Sequence, residues 1–334
     1  MTGPDPAVAA VRRAVRRTVA EVREQGLLLV ACSGGVDSLA LLAGLAWEAP
    51  RQRRNWGVVH VDHGLQAGSA TQALRVAEQA KSFGCDAVET VTPPPVVARP
   101  GEGPEAAARR VRYAALDDAA ERTGAAVVML GHTLDDQAET VLLGLARGSG
   151  GRSLAGMPHR RGVYRRPLLG LTRQTTEQAC AAEGLEPWLD PSNADVALLR
   201  NRVRHRVLPL LEAELGPGVA EALARTAALL AADADFLDEL VRSVWSECVL
   251  DPEAGERVAL SVAALSALPD ALRTRVIHQA AVYAGSPGGL VAAVHVWAID
   301  ELVGRWHGQG PVDLPGGLVG ARRYDRLVIA EPDR

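Results

Sequence analysis

The sequence predicts an α/β domain built on a doubly wound parallel sheet, followed by a smaller, mainly helical C-terminal domain. Three observations carry that expectation. Short apolar runs occur at 27–32, 57–61, 87–91 and 126–130. The first, Leu27 to Cys32, is continuous rather than alternating, as in a strand covered on both faces. Helix-length segments separate the runs, the rhythm of parallel strands joined by crossovers. That rhythm stops after residue 147, and Gly216-Pro-Gly218 then breaks the chain ahead of long helical patterns.

Taken in order, residues 7–25 alternate Ala and Val with Arg and read as an amphipathic helix, with Arg12, Arg13, Arg16 and Arg17 on its solvated face. Leu27 to Cys32 is the first strand, Ser33 to Ser38 a turn of small residues, and 39–47 a helix. Gly57 to Val61 is the second strand, 69–83 a helix, and Ala87 to Val91 the third strand. A Pro/Gly-rich loop at 93–104 leads to a helix over 105–123, a fourth strand at Ala126 to Leu130 and a helix over 135–147. A Gly-rich turn and an arginine-rich stretch fill 148–176, with helices near 173–184 and 198–213. The break at 216–218 divides the chain into domains 1–215 and 216–334. Residues 219–247 and 261–304 read as helices, and 311–330 as a hairpin turning near Pro315-Gly-Gly317.

Hydrophobic residues make up 48% of the 334, enough for a sizeable core, but aromatics are only 4%, so Leu, Val and Ala must fill it. The net charge of -4 argues by itself against a nucleic-acid partner; its distribution argues the other way. Lys81 is the sole lysine. Cationic contacts to phosphate must therefore come from Arg, a metal or backbone amides. Cys32, Cys85, Cys180 and Cys248 form no Cys-x-x-Cys pair. No secretory leader and no membrane-spanning apolar run is evident. A soluble, cytoplasmic setting without membrane contact is expected.

Five segments carry chemistry. Ser33-Gly-Gly-Val-Asp-Ser38 follows a strand and opens a helix. Its glycines admit close approach of an anion, and exposed amides at a helix N-terminus favour phosphate. Asp37 is out of place as a phosphate binder and fits a Mg2+ that bridges phosphate oxygens. The loop lacks the lysine of a Walker sequence. Val61-Asp-His-Gly-Leu-Gln66 ends the second strand, so Asp62 and His63 are either near a ligand or simply part of a turn. Glu105, Arg109 and Arg112 share one helix face; they make a surface ion pair or a phosphate contact. Gly131-His-Thr-Leu-Asp-Asp-Gln-Ala-Glu-Thr140 puts His132 and three carboxylates at a sheet mouth, suited to a metal or to an amine that must be held and deprotonated. Seven arginines (147, 152, 160, 161, 165, 166 and 173) lie in a stretch with no Asp or Glu between Glu139 and Glu177, and Arg200 to Arg206 adds four more. Such blocks mark a polyanion surface.

The first of these segments resembles the PP-loop signature Ser-Gly-Gly-x-Asp-Ser, found in enzymes that cleave ATP between the α and β phosphates on an adenine nucleotide α-hydrolase-like fold. Together with Arg147-Gly-Ser-Gly150, Arg166-Pro-Leu-Leu169, Asp190-Pro-Ser-Asn193 and Arg200-Asn-x-x-Arg204, the motifs over about residues 27–215 resemble the tRNA(Ile)-lysidine synthetase family, in a short form. The resemblance implies a ligase. It joins free L-lysine to the 2-position of the wobble cytidine of tRNA(Ile) with anticodon CAU, through an adenylated tRNA, and releases pyrophosphate and AMP. It also implies roles. Ser33, Gly34, Gly35, Val36, Asp37 and Ser38 hold ATP, with Asp37 on Mg2+. Arg112 and Arg204 stabilise developing charge, Asp136 and Glu139 hold the lysine ammonium, and His132 assists adenylation. The arginine block positions tRNA backbone, the C-terminal domain binds tRNA, and a homodimer is an admitted assembly. The alternative is a PP-loop tRNA thiolation enzyme, which would call for a nucleophilic or clustered cysteine.

Overall fold

The computed structural model describes residues 3–62, 68–85, 87–98, 103–148 and 150–332. His63 to Gln66, part of the expected 93–104 loop, and Ser149 lie outside the described residues. The chain forms two compact units, one of residues 1–147 and 156–227, the other of 148–155 and 228–334.

The first unit begins with α1 (Pro6–Glu21), β1 (Leu27–Ala31), α2 (Val36–Arg51), β2 (Trp56–Val61), α3 (Ser69–Ser82), β3 (Ala87–Val91), α4 (Pro104–Thr123), β4 (Ala125–Leu130) and α5 (Leu134–Ala146). β1 pairs in parallel with β2 on one side and β4 on the other, and β2 pairs in parallel with β3. A short hairpin, β5 (Arg160–Arg161) and β6 (Tyr164–Arg165), completes the order β3-β2-β1-β4-β6-β5. β6 is parallel to β4, and β5 closes the edge antiparallel. The sequence reading placed no strand there; two-residue strands made largely of arginine carry no apolar run to find.

Helices cover both faces of this sheet. α1 turns Val8, Val11, Val15 and Val19 inward at three- and four-residue spacing, against Leu39, Leu42 and Leu45 of α2 and Leu28 and Val30 of β1. Each such burial contributes about 1.5–3 kcal/mol. α7 (Arg173–Ala182) joins that face through Ala179 and Cys180. On the other face Leu116, Ala119 and Ala120 of α4 meet Leu29, Val59 and Val128. The chain leaves β1 and β4 in opposite directions, so the ends of these neighbours open a crevice.

The expected helix over 198–213 is three pieces: α8 (Leu199–Arg202), a π-helical turn (Val203–Val207) and α9 (Leu208–Leu215). The break at 216–218 is present, with both glycines at positive φ. Beyond it Glu212 accepts hydrogen bonds from the Gly218 and Ala220 amides at the start of α10 (Val219–Cys248). The division between units falls later than that break, within α10.

The second unit also contains α6 (Gly151–Leu154), α11 (Val262–Ala267), α12 (Asp270–Tyr283) and α13 (Ala293–Gly304). With them comes an antiparallel sheet of order β7-β8-β11-β10-β9. Its strands are β7 (Val249–Leu250), β8 (Glu256–Ser261), β9 (Val312–Leu314), β10 (Leu318–Arg323) and β11 (Arg326–Ala330). The single hairpin expected at 311–330 is two, turning at 315–317 and again at Tyr324 and Asp325, and β8 pairs with β11. Leu260, Leu265, Ile277, Ile299, Leu302 and Ile329 form its core. Among the described residues, no helix is long and apolar enough to cross a membrane.

Gly131, just past β4, lies against the start of α2. A Cβ there would stand 3.0 Å from the backbone of Asp37 and Ser38. Neither segment can yield without moving the loop, so Gly131→Ala is expected to lower stability by about 1–3 kcal/mol. A reduced urea midpoint at unchanged slope checks this.

Candidate active site

A cavity of about 890 Å³ opens at the carboxyl ends of β1, β2 and β4. One wall is the 33–38 loop. The Ser38 hydroxyl accepts from the Ser33 amide at 3.2 Å and donates to the Gly35 carbonyl at 2.9 Å, which ties the loop to the first turn of α2. Gly34 has φ +84°, and a Cβ there would collide with the Gln72 side chain. Gly35 caps α2 without any side-chain hydrogen bond to the first-turn amides. Those amides therefore face the cavity as an anion cradle.

The opposite wall is a cluster of carboxylates and guanidiniums. Thr133 and Asp136 form a capping box on α5: Asp136 Oδ2 accepts from the Thr133 amide at 2.8 Å and from its hydroxyl at 3.2 Å. Asp136 Oδ1 lies 3.1 Å from Arg204 and 3.2 Å from Arg173. Glu139, one turn on, is fully buried and receives Arg204 Nε at 2.6 Å and Arg200 Nε at 2.7 Å. Arg200 and Arg204 reach one carboxylate from the segment that runs into the π turn, a distortion often found at functional sites. Asp37 accepts from Arg173 Nε at 3.3 Å and from the Thr176 hydroxyl at 2.5 Å.

Burial pushes the Asp37 carboxyl above its ordinary range, more than Arg173 and Thr176 pull it down. Burial acts the same way on Asp136, but there Arg173, Arg200 and the Thr133 amide prevail and hold it below the usual value. Burial pushes His132 down to about 3, so its ring is neutral near pH 7, and its buried Nδ1 has no partner among the described residues. An unmatched buried polar atom costs about 1–3 kcal/mol, which a ligand group or water would offset. Burial also lowers Arg109 and Arg112, which line the cavity beside Tyr113.

The structure thus brings the 33–38 loop, Arg112, His132, Asp136 and Arg204 onto one cavity, with Asp62 at its rim. Glu139 stands behind the wall rather than on it. Glu105 is exposed and off the lining, so the Glu105–Arg face divides: its arginines serve the cavity and its carboxylate does not. The arginine block is also divided. Arg165 and Arg166 are buried. Arg165 donates to the Gly162 and Tyr164 carbonyls, and Arg166 to the Pro158 carbonyl and the Tyr113 hydroxyl. Arg173, Arg200 and Arg204 pair with acids. Only part of the block can form the solvent-facing polyanion surface expected from the sequence. A run without acids nearby in sequence finds its acids in space.

Sequence reasoning placed Arg173 and Arg200 in the tRNA-facing basic block rather than among the acids of the site, and passed over Thr176. Nothing local marks them; their partners lie 136, 61 and 139 positions away. It also gave no site role to the strap at 187–194, which lines the cavity. The Trp188 amide donates to the Gly34 carbonyl at 2.9 Å, Asp190 caps the Ser192 amide at 2.8 Å, and buried Asn201 donates to the Ser192 carbonyl at 2.7 Å.

Among the described residues no group of three or more His, Cys, Asp or Glu forms a metal site by itself. Asp37 and Asp136 instead present carboxylate oxygens on either side of one guanidinium. That fits Mg2+, which takes one or two carboxylates and completes its shell with phosphates and water. All four cysteines are buried, and burial pushes the Cys32 thiol up and that of Cys180 up to about 12.

Fold and site together define a PP-loop domain, and a family profile described as PP-loop domain matches residues 8–211, with a second, described as TilS substrate binding domain, matching 260–328. A protein named tRNA(Ile)-lysidine synthase from Thermobifida fusca is 51% identical over 333 residues, covering 100% of both chains. One of the same name from Streptomyces coelicolor is 50% identical over 361 residues, covering 98% of this chain and 99% of that one. The chain belongs to the tRNA(Ile)-lysidine synthase family. A solved U34-tRNA thiolase, NcsA from Methanococcus maripaludis with its 4Fe-4S cluster, shares the fold at TM-score 0.55 and 19% identity. It covers 67% of this chain and 80% of its own.

The half-buried, desolvated imidazole of His132 has a consequence in acid. As pH falls through 6.5 the unfolded chain protonates His132, whereas the folded chain does not until about pH 3. Its contribution is complete above pH 6.5 and is lost progressively between 6.5 and 3. His132→Gln is expected to flatten the decline of the urea midpoint between pH 6.5 and 4. A slope equal to that of the parent would refute the neutral imidazole.

Proposed function

We propose that this chain ligates L-lysine to the 2-position of the wobble cytidine of tRNA(Ile) with anticodon CAU, using ATP and Mg2+ in the cytoplasm. The observation that carries the reading is one cavity with an anion-binding loop on one wall and a carboxylate–arginine cluster on the other. Full-length similarity to proteins named for this reaction supports it.

The α2 amides and the Ser33 and Ser38 hydroxyls hold the ATP phosphates. Asp37, with Asp136 across from it, would hold Mg2+, which neutralises phosphate charge when bound. The cytidine leaves the anticodon stack to enter the cavity. Its O2 attacks the α phosphate and pyrophosphate departs, while Arg109 and Arg112, partly desolvated, stabilise the charge that develops. Neutral His132 serves as a hydrogen-bonding group rather than a cation. The lysine amine then attacks C2 and AMP leaves. Asp136 is the carboxylate on the cavity wall that pairs with the ammonium before transfer. Glu139, fully buried behind it, acts through Arg200 and Arg204; this revises the direct contact with lysine expected from the sequence. The thiolation alternative lacks support: no cysteine cluster occurs among the described residues, and burial disfavours the thiolates.

Transfer of labelled L-lysine to tRNA(Ile) bearing the CAU anticodon, with ATP and Mg2+, tests the proposal beside elongator methionine tRNA. Label is expected on the first tRNA alone; label on neither, with ATP still cleaved to AMP, would overturn it. Asp37→Asn is expected to abolish transfer with tRNA binding retained, and Asp136→Asn, which removes both a Mg2+ carboxylate and the lysine carboxylate, is expected to abolish lysine transfer.

A further inference from the structure

Arg173 does not behave as a member of a tRNA-facing basic block. It opens α7, and its guanidinium reaches three carboxylates from three directions: Asp37 at 3.3 Å, Asp136 at 3.2 Å and Glu139 at 3.7 Å. Its own amide donates to Asp135 Oδ2 at 2.7 Å, which fixes the first turn of α7 against that of α5. Thr176, one turn further, takes the other oxygen of Asp37 at 2.5 Å. Both oxygens of Asp37 are therefore occupied by α7, and Asp136 Oδ2 is held by Thr133. A divalent cation shared by Asp37 and Asp136 would need the place that the guanidinium fills.

We propose that Arg173 is a built-in cation, filling the position between Asp37 and Asp136 until metal-bound nucleotide arrives, so that metal enters with the nucleotide and not ahead of it. The inference rests on the reading of Asp37 as the metal carboxylate. The desolvation cost of two facing carboxylates is too large to leave them uncompensated. A strongly hydrated Mg2+ alone, without phosphates to complete its shell, is a poor competitor for a guanidinium already seated. Arg173 Nη1 already lies 3.7 Å from Glu139, so the guanidinium keeps a carboxylate neighbour when it gives up Asp37. Arg173 is thus a positioning residue that links the ATP wall to the acceptor wall. It need touch no reacting atom.

The test is Mn2+ binding to the nucleotide-free full chain, read from the electron-spin signal of the free ion. The parent is expected to bind weakly, and Arg173→Gln to bind at least about tenfold tighter, because the variant leaves the carboxylates without their cation. Mn2+ is expected to raise the melting temperature of that variant and not of the parent. Adding Asp37→Asn is expected to remove the gain. Arg173→Lys, whose single ammonium cannot span both carboxylates, is expected to fall between. Unchanged Mn2+ affinity in Arg173→Gln, or a gain that survives Asp37→Asn, overturns the proposal. Should Arg173→Gln not fold, unchanged affinity in Arg173→Lys overturns it equally. The underlying reading is checked separately with Mn2+ and a non-hydrolysable ATP analogue on the parent. Tight binding lost in Asp37→Asn supports Asp37 as ligand; tight binding retained there removes that reading, whatever Arg173 does.

Discussion

Glu139 is fully buried between Arg200 and Arg204, and the arrangement of the crevice follows from that charge. A carboxylate in such a place is tolerated only when paired and hydrogen-bonded. Its two arginines cannot leave it, and Arg204 in turn reaches Asp136. Asp136 caps α5 and meets Arg173, which meets Asp37 at the head of α2. The N-terminal turns of three helices and the π turn are thereby drawn to one point. Buried ion networks of this kind add little net stability over an apolar core. What this one contributes is position: four segments distant in sequence are held to hydrogen-bonding tolerance around a single cavity.

The parts of this arrangement written locally could be read from the chain. Strand-length segments rich in apolar residues mark β1, β2, β3 and β4; the continuous run of β1 is covered on both faces, whereas β3, with Glu89 and Thr90, stays partly exposed at the sheet edge. The 33–38 loop is legible because its small residues sit at a strand-to-helix junction, where only an anion cradle needs them. His132 and Asp136 are legible because they follow a strand end, where ligands of open α/β sheets sit. Long-range pairing is what escapes. Arg165, Arg166, Arg173 and Arg200 look alike in sequence, yet two are buried against carbonyls and two neutralise acids. A guanidinium carries no mark of its partner. In the second unit β8 was missed, because its pattern makes sense only once β11 lies beside it.

Nearly all cationic chemistry here is guanidinium chemistry, since Lys81 is the only lysine. Arginine remains charged at any physiological pH and offers donors in a fixed fork. The positive charges of the site therefore do not titrate, and protonation changes fall to groups shifted by burial, His132 downward and Asp37 upward. These two shifts share a cause and have opposite consequences. A neutral imidazole can accept or donate near the reacting centre without adding to its charge. A carboxylate that burial makes costly gains most from any cation brought to it. The same desolvation that keeps His132 uncharged thus makes Asp37 depend on Arg173 or on a metal, and links occupancy of the cavity to the position of α7.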